Sequence, residues 1–268
     1  MEYETLEVRR EDAVLWCTLN RPDSLNAMNP QLVTELRDLL SELADDNVTR
    51  VVVLRGAGRA FCAGLDLKEM GSMQRPGEAP GIPTMLRVQR RIAEIALMMR
   101  RLPQVFVAGV QGAACGGGFM LALASDIRIA TENARMNAAF IKIGLSGCDV
   151  GTSYLLPRLI GASLAAELIL TGRFIDAPRA ERLGLVSAVV PADQLEAELR
   201  GLVDELLATT PLGLRLSKEC LNASLDMNSM EAVVAMEDRN QVLCAQTGDF
   251  RESLQAFREK RPAKFHDA

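Results

Sequence analysis

Residues 104–124 constrain the fold of this chain more than any other stretch. Gln104-Val105-Phe106-Val107-Ala108-Gly109-Val110 is an apolar run with the character of a strand buried on both faces. It leads through Gly112 to three consecutive glycines, Gly116-Gly117-Gly118, and then to the apolar run Phe119-Met120-Leu121-Ala122-Leu123-Ala124. A glycine-rich turn that opens a helix leaves backbone N–H groups unpaired, and the helix dipole adds positive potential there. Such an end can bind a phosphate, stabilise a developing oxyanion, or be a plain tight turn. The glycines alone leave all three open.

The neighbouring segments give this stretch its setting. Residues 4–9 and 14–19 alternate as two short strands, with Arg10-Glu11-Asp12 as the polar turn between them. An irregular loop over 20–28 precedes Asn29-Pro30, which reads as N-cap and first residue of a helix with Leu32, Val33, Leu36, Leu39, Leu40 and Leu43 on one face. Residues 50–55 form another apolar, β-branched strand, followed by a loop over 56–66. A dinucleotide fingerprint would need glycine at position 61, which is Phe61, and no glycine turn here ends in the Lys-Ser/Thr of a P-loop.

A short helix is expected over 66–70, then a loop over 71–83 with three glycines and three prolines, which reads equally as a lid or a surface bulge. Val88, Ile92, Ile95, Met99 and Leu102 mark a helix ending near Arg101. Further strands are expected at 126–130 and 185–190, and helices at 192–208, 212–224, 229–245 and 248–258. Strands alternating with helices in this order predict parallel βαβ packing. The expected organisation is an α/β core over 1–195 and a helical C-terminal section over 196–268 of the same domain.

Composition narrows the function. At 268 residues, 49% hydrophobic and 24% charged, the chain is large enough for one well-filled soluble domain. A net charge of −5 gives no support to a nucleic-acid or anionic-membrane partner. Six cysteines without a C-x-x-C pair, most among apolar neighbours, predict buried free thiols in a reducing compartment. The polar N-terminus and the lack of any spanning apolar run predict a cytoplasmic protein. The only histidine is His266, which removes most Ser-His, Cys-His and zinc chemistries. Carboxylates, backbone amides or a bound ligand are left to act, and no metal is expected.

Five motifs, in order, resemble the crotonase (enoyl-CoA hydratase/isomerase) family. They are Leu19-Asn20-Arg21-Pro22 with Leu25-Asn26-Ala27-Met28, then Gly58 through Met70, then Val110-Gln111-Gly112 through Gly118, then Ser125-Asp126-Ile127-Arg128-Ile129-Ala130, and the tail Phe257 through Phe265. The resemblance covers essentially the whole chain. It implies a spiral of ββα units with C-terminal helices that build a homotrimer or homohexamer. It also implies an acyl-CoA thioester as ligand, coenzyme A being part of the substrate rather than a cofactor. Two backbone N–H groups would hold the thioester oxygen as negative charge builds on it; by motif position these are Leu65 and Gly117. Coenzyme A would lie along Asn26 and Ala27 and along Ala63, Gly64, Asp66 and Lys68, with Phe257, Lys260 and Lys264 reaching a neighbouring subunit's ligand. Both tail lysines read equally as ordinary solvated side chains.

The pattern breaks at the two glutamates with which family hydratases add water. Their positions fall on Met120 and Phe140, and no carboxylate occurs between Arg135 and Cys148. Neither side chain can orient water or carry a proton. The one acid nearby is Asp149, in an Asp-Val-Gly-Thr run that resembles the dienoyl-CoA isomerase branch of the family. Asp149 reads either as a catalytic acid/base or as the cap of a helix starting near Thr152. Asp66 and Glu69 are weaker candidates, and Tyr154 and Cys148 weaker still. Two functions stand: an enoyl-CoA enzyme with isomerase-like rather than hydratase chemistry, or a non-catalytic acyl-CoA-binding protein whose pocket is apolar at Met120 and Phe140.

Overall fold

The computed structural model describes residues 3–72 and 81–265. The chain opens with strands β1 (Leu6–Glu11) and β2 (Val14–Leu19), helix α1 (Pro30–Ala44) and strand β3 (Val51–Gly56). Helices α2 (Leu67–Ser72) and α3 (Ile82–Arg101) follow, then β4 (Val105–Val110), β5 (Ala113–Cys115) and α4 (Gly117–Ala124). Next come β6 (Ile127–Thr131), β7 (Arg135–Asn137), a 3-10 turn at Ala139–Ile143, α5 (Thr152–Ile160) and α6 (Ala162–Thr171). The remainder is β8 (Ile175–Asp176), α7 (Ala177–Arg182), β9 (Ala188–Val190), α8 (Leu195–Leu207), α9 (Pro211–Ser224), α10 (Met230–Ala245) and α11 (Gly248–Glu259).

Six strands form the main sheet in the order β1-β2-β3-β4-β6-β9, antiparallel only between β1 and β2. Side chains alternate across it. Leu15, Cys17, Val52, Leu54, Phe106 and Ala108 join the core under α1, α3 and α4. Val14, Trp16, Val51, Val53, Val105, Val107 and Ile129 pack instead on Leu199 and Val203 of α8. Both faces are covered, which is why these strands read as continuous apolar runs.

A second sheet, β5-β7-β8, lies beside the first, and its strands are two or three residues long. The chain therefore winds as a spiral. A long strand in the main sheet is followed by a short one in the second sheet and then by a helix, as in β4-β5-α4. The turn after β3 repeats this with a single bridge, Cys62 to Ala114.

Local chemistry sets the helix ends. Asn29 Oδ1 accepts from Leu32 N–H at 2.9 Å, as its place before Pro30 predicts. Asp176, Thr210, Ser229 and Thr247 cap α7, α9, α10 and α11 in the same way.

Several expectations need correction. The strand expected over 185–190 is reduced to Ala188–Val190, and Leu185 and Val186 are buried outside it. Helix α3 begins at Ile82, six residues before the first apolar position of its stripe, because its first turns expose apolar side chains such as Ile82, Met85 and Leu86. The loop expected over 71–83 gives its ends to α2 and α3; its centre, 73–80, lies outside the described residues, as does His266. Only Cys17 and Cys62 are buried, while Cys115, Cys220 and Cys244 are partly exposed and Cys148 is exposed. Burial pushes the Cys17 and Cys62 thiols up to about 12, so both stay protonated. Among the described residues no helix is long and apolar enough to cross a membrane.

Candidate active site

The site is built where three backbone segments lie side by side. The loop after β3 runs between residues 25–28 and the segment 113–117. Cys62 N–H donates to Ala113 O at 3.0 Å and Cys115 N–H to Cys62 O at 2.9 Å. On the other side Ala63 N–H donates to Leu25 O at 2.9 Å, Met28 N–H to Gly64 O at 2.7 Å and Asp66 N–H to Met28 O at 3.0 Å. Met28 thus bonds the residues on either side of Leu65. In an extended segment that pattern turns the Leu65 N–H to the opposite side, toward α4. No backbone carbonyl among the described residues accepts from it.

Glycine makes the close approach possible. Gly64 has φ +96°, and a Cβ there would lie 2.7 Å from the Cys115 carbonyl oxygen and 3.7 Å from the Gly117 nitrogen. Gly116 caps α4 at φ 50°, ψ −113°, a region open essentially to glycine alone. The first bond of α4 runs from Met120 N–H to Gly116 O at 2.9 Å. Gly117, as the first helical residue, keeps an N–H with no acceptor inside the helix. Every residue of α4 is buried, so its positive end is little screened by water.

Leu65 and Gly117 line one cavity of about 110 Å³ together with Met28, Gln89, Phe140 and Asp149. Its remaining walls are apolar or glycine, among them Leu67, Ile92, Ile143, Leu145 and Val150. Among the described residues Asp149 is the only ionisable side chain that lines it. Its Oδ1 accepts from Val150 N–H at 2.8 Å and from Gln89 Nε2 at 2.5 Å. Partial burial raises the carboxyl above its ordinary range, with these two bonds opposing the rise. Asp149 is not the cap of α5: the N-cap is Gly151 at φ 87°, without a side-chain bond, and only the Asp149 backbone carbonyl accepts from Thr152 N–H. Gln89 escaped the sequence reading because a glutamine on an exposed helix face carries no signal until its partner, 60 residues away, is known.

The other sequence candidates sort by position. Ala63 and Gly64 line the cavity, and Ala27 is buried behind Met28. Lys68 is exposed on α2, just past Leu67 at the cavity wall. Asp66 is buried against Arg21 at 3.0 Å; burial pushes its carboxyl up, but the Glu69 N–H, the Arg21 guanidinium and the Lys68 N–H hold it below its ordinary value. Glu69 accepts from Arg21 at 2.5 Å and from Asn29 at 3.0 Å. Asp66 and Glu69 therefore clamp the loop that presents Leu65. Phe140 lines the cavity beside Gly116.

Met120 does not line the cavity: it is fully buried in the core beneath α4. Phe257 is exposed on α11 and Lys260 just past its end, neither lining the cavity of their own chain, and Lys264 is exposed in the tail. Tyr154 lines a different groove and donates to Asp226 at 2.7 Å.

Asn26 holds the site without reaching it through its side chain. It is fully buried at φ 56°, and its Nδ2 donates to Ala57 O at 2.9 Å and Ala60 O at 2.8 Å. Its Oδ1 accepts from Arg21 N–H at 2.9 Å. Asn26→Ala removes the side-chain partner of one buried and two part-buried backbone groups and is expected to lower stability by about 1–3 kcal/mol in urea unfolding. Unchanged stability with lost ligand affinity would instead make Asn26 a ligand contact.

Comparison with known proteins agrees with this fold. The sequence profile of the enoyl-CoA hydratase/isomerase family matches residues 9–268. A Mycobacterium tuberculosis protein named "Probable enoyl-CoA hydratase" is 40% identical over 251 residues, covering 93% of this chain and 88% of that one. The 1,2-epoxyphenylacetyl-CoA isomerase of Escherichia coli is 34% identical over 255 residues, 95% of each chain. The crystal structure of an enoyl-CoA hydratase from Bacillus anthracis superposes with a TM-score of 0.90 at 34% identity, covering 98% of this chain and 99% of that one. Resembling these proteins along nearly its whole length in sequence and in fold, the chain belongs to the enoyl-CoA hydratase/isomerase family.

Proposed function

We propose that this protein binds an enoyl-CoA thioester and moves its double bond, with Asp149 as the sole acid/base. The observation that carries the reading is the meeting of Leu65 and Gly117 with Asp149 in one cavity where, among the described residues, Asp149 is the one carboxylate and Gln89 the one other polar side chain. The thioester oxygen accepts from both N–H groups. The Asp149 carboxylate takes a proton from the α-carbon of a 3-enoyl-CoA, and the electron pair moves into the thioester carbonyl to give a dienolate. The two N–H groups and the α4 dipole stabilise the oxygen's negative charge. The protonated Asp149 then returns the proton to the γ-carbon, giving the conjugated 2-enoyl-CoA. One group removes and returns the same proton, so one acid suffices.

Hydration needs a second polar group to orient water, and Phe140 stands at the cavity where that group would act. A relative named for isomerising an epoxyphenylacetyl-CoA supports a CoA thioester as the ligand. Coenzyme A passes Ala27, Ala63, Gly64 and Lys68 on its way out. The helical C-terminal section, 196–268, assembles a homotrimer or homohexamer, which brings Phe257 and Lys260 to a neighbour's ligand; the protein acts in the cytoplasm.

Incubation with 3-enoyl- and dienoyl-CoA esters, followed by the absorbance of the conjugated thioester, is expected to show turnover, with no hydration of crotonyl-CoA. Tight calorimetric binding of acyl-CoA without turnover would replace the enzyme with an acyl-CoA carrier, and absence of binding would overturn both.

A further inference from the structure

The geometry points to Gln89 as a positioning residue that locks one oxygen of Asp149 and leaves the other, Oδ2, to carry the proton. This rests on the reading of Asp149 as the acid/base. Gln89 stands on α3 and Asp149 on the turn before α5, so their 2.5 Å bond joins two walls of the cavity. The donor must be the amide nitrogen, because an ionised carboxylate only accepts.

Val150 N–H is the second donor to the same oxygen, at 2.8 Å. Val150 itself has φ 43°, an unfavourable value for a β-branched residue, and lies next to Gly151 at φ 87°. With two donors, Oδ1 has its acceptor sites filled and cannot also take a proton without losing one of them. Oδ2 has no hydrogen-bond partner among the described residues, so it is the oxygen open to substrate.

Among the described residues no other charged side chain lines the cavity beside this carboxylate. From α3 the cavity receives Gln89 and Ile92; from the loop before α2, Ala63, Gly64 and Leu65; from α2, Leu67; and from residues 139–145, Ala139, Phe140, Ile143 and Leu145. None of these titrates. A donor at position 89 favours the ionised form, so it holds the carboxyl lower than burial alone would place it.

The sign of the effect can be set from outside. Gln89→Leu removes the donor and is expected to raise the Asp149 pKa by about one unit, a tenfold change in proton affinity. Gln89→Lys places a cation there and is expected to lower it. Gln89 is solvent-exposed on its helix, so neither change opens the core. The acidic limb of kcat/KM is expected to move up in the first variant and down in the second. In Gln89→Leu kcat falls about tenfold while KM stays within threefold, since the oxygen is no longer aimed.

Carboxyl 13C NMR titration, with Asp149→Asn to assign the resonance, reads the same shift whether or not a substrate turns over. Opposite shifts in the two variants support the proposal; a carboxyl titration unchanged in both overturns it. Full turnover by Asp149→Asn would instead remove the acid/base reading. Loss of turnover in Asp149→Asn with an unmoved limb in Gln89→Leu would remove only the role of Gln89.

Discussion

Asp149→Asn is expected to lower kcat for double-bond migration by roughly 10²–10⁴-fold, the usual contribution of a positioned general acid/base. The substitution keeps the shape of the side chain, and the amide oxygen can still accept from Gln89 and Val150. Affinity for acyl-CoA therefore stays within a few-fold, and the loss appears in kcat rather than KM. The pH profile carries the same information. In the proposed mechanism the ionised carboxylate is the working base, so activity is expected above the Asp149 pKa and is lost as pH falls through it. Because partial burial raises that pKa, the acidic limb lies above the ordinary aspartate range. Steady-state kinetics and calorimetry on the two proteins measure both halves, and full activity in Asp149→Asn would remove Asp149 from the chemistry.

Gly64→Ala is expected to cost roughly 10²–10³-fold in kcat, equivalent to about 2.7–4 kcal/mol of transition-state stabilisation. A Cβ at this position lies 2.7 Å from the Cys115 carbonyl oxygen, which is backbone and cannot move aside cheaply, and φ is +96°. The loop must shift, and the Leu65 N–H moves with it away from Gly117. A displacement near 1 Å is enough to lose an interaction that depends on aim. The fold keeps its core, because the main sheet and α1, α3 and α4 pack independently of this one contact. Ground-state binding suffers less than turnover, since the two donors act most strongly when the oxygen carries negative charge. Equal losses in binding and kcat would place the defect in general loop disorder rather than in the oxyanion donors.

The long elements were legible because their chemistry is local. Val105–Val110 and Val51–Gly56 are buried on both faces, and the Asn29 cap and the C-terminal helices announce themselves by capping residues and periodicity. The second sheet was not legible, since strands such as Ile175–Asp176 are too short to show a period. The Leu65 and Gly117 N–H groups proposed as oxyanion donors were placed by motif position, next to glycines where backbones come close. Met120 illustrates the limit of motif position: the residue aligns with a catalytic acid, yet its side chain packs in the core rather than in the cavity. Asn26 and Asp66 show another, because polar residues that hold a loop and those that touch a ligand look alike in sequence. Only the hydrogen-bond partners separate them.

In the proposed mechanism the thioester oxygen sits between Leu65 and Gly117 with Asp149 at the reacting carbons. A crystal structure of the Asp149→Asn protein with a bound 3-enoyl-CoA tests it most directly. The thioester oxygen is expected at hydrogen-bond distance, about 2.7–3.1 Å, from both backbone nitrogens, with the side chain of residue 149 beside the α- and γ-carbons. A thioester oxygen bound elsewhere, or an acyl chain that leaves residue 149 out of reach of both carbons, would contradict it.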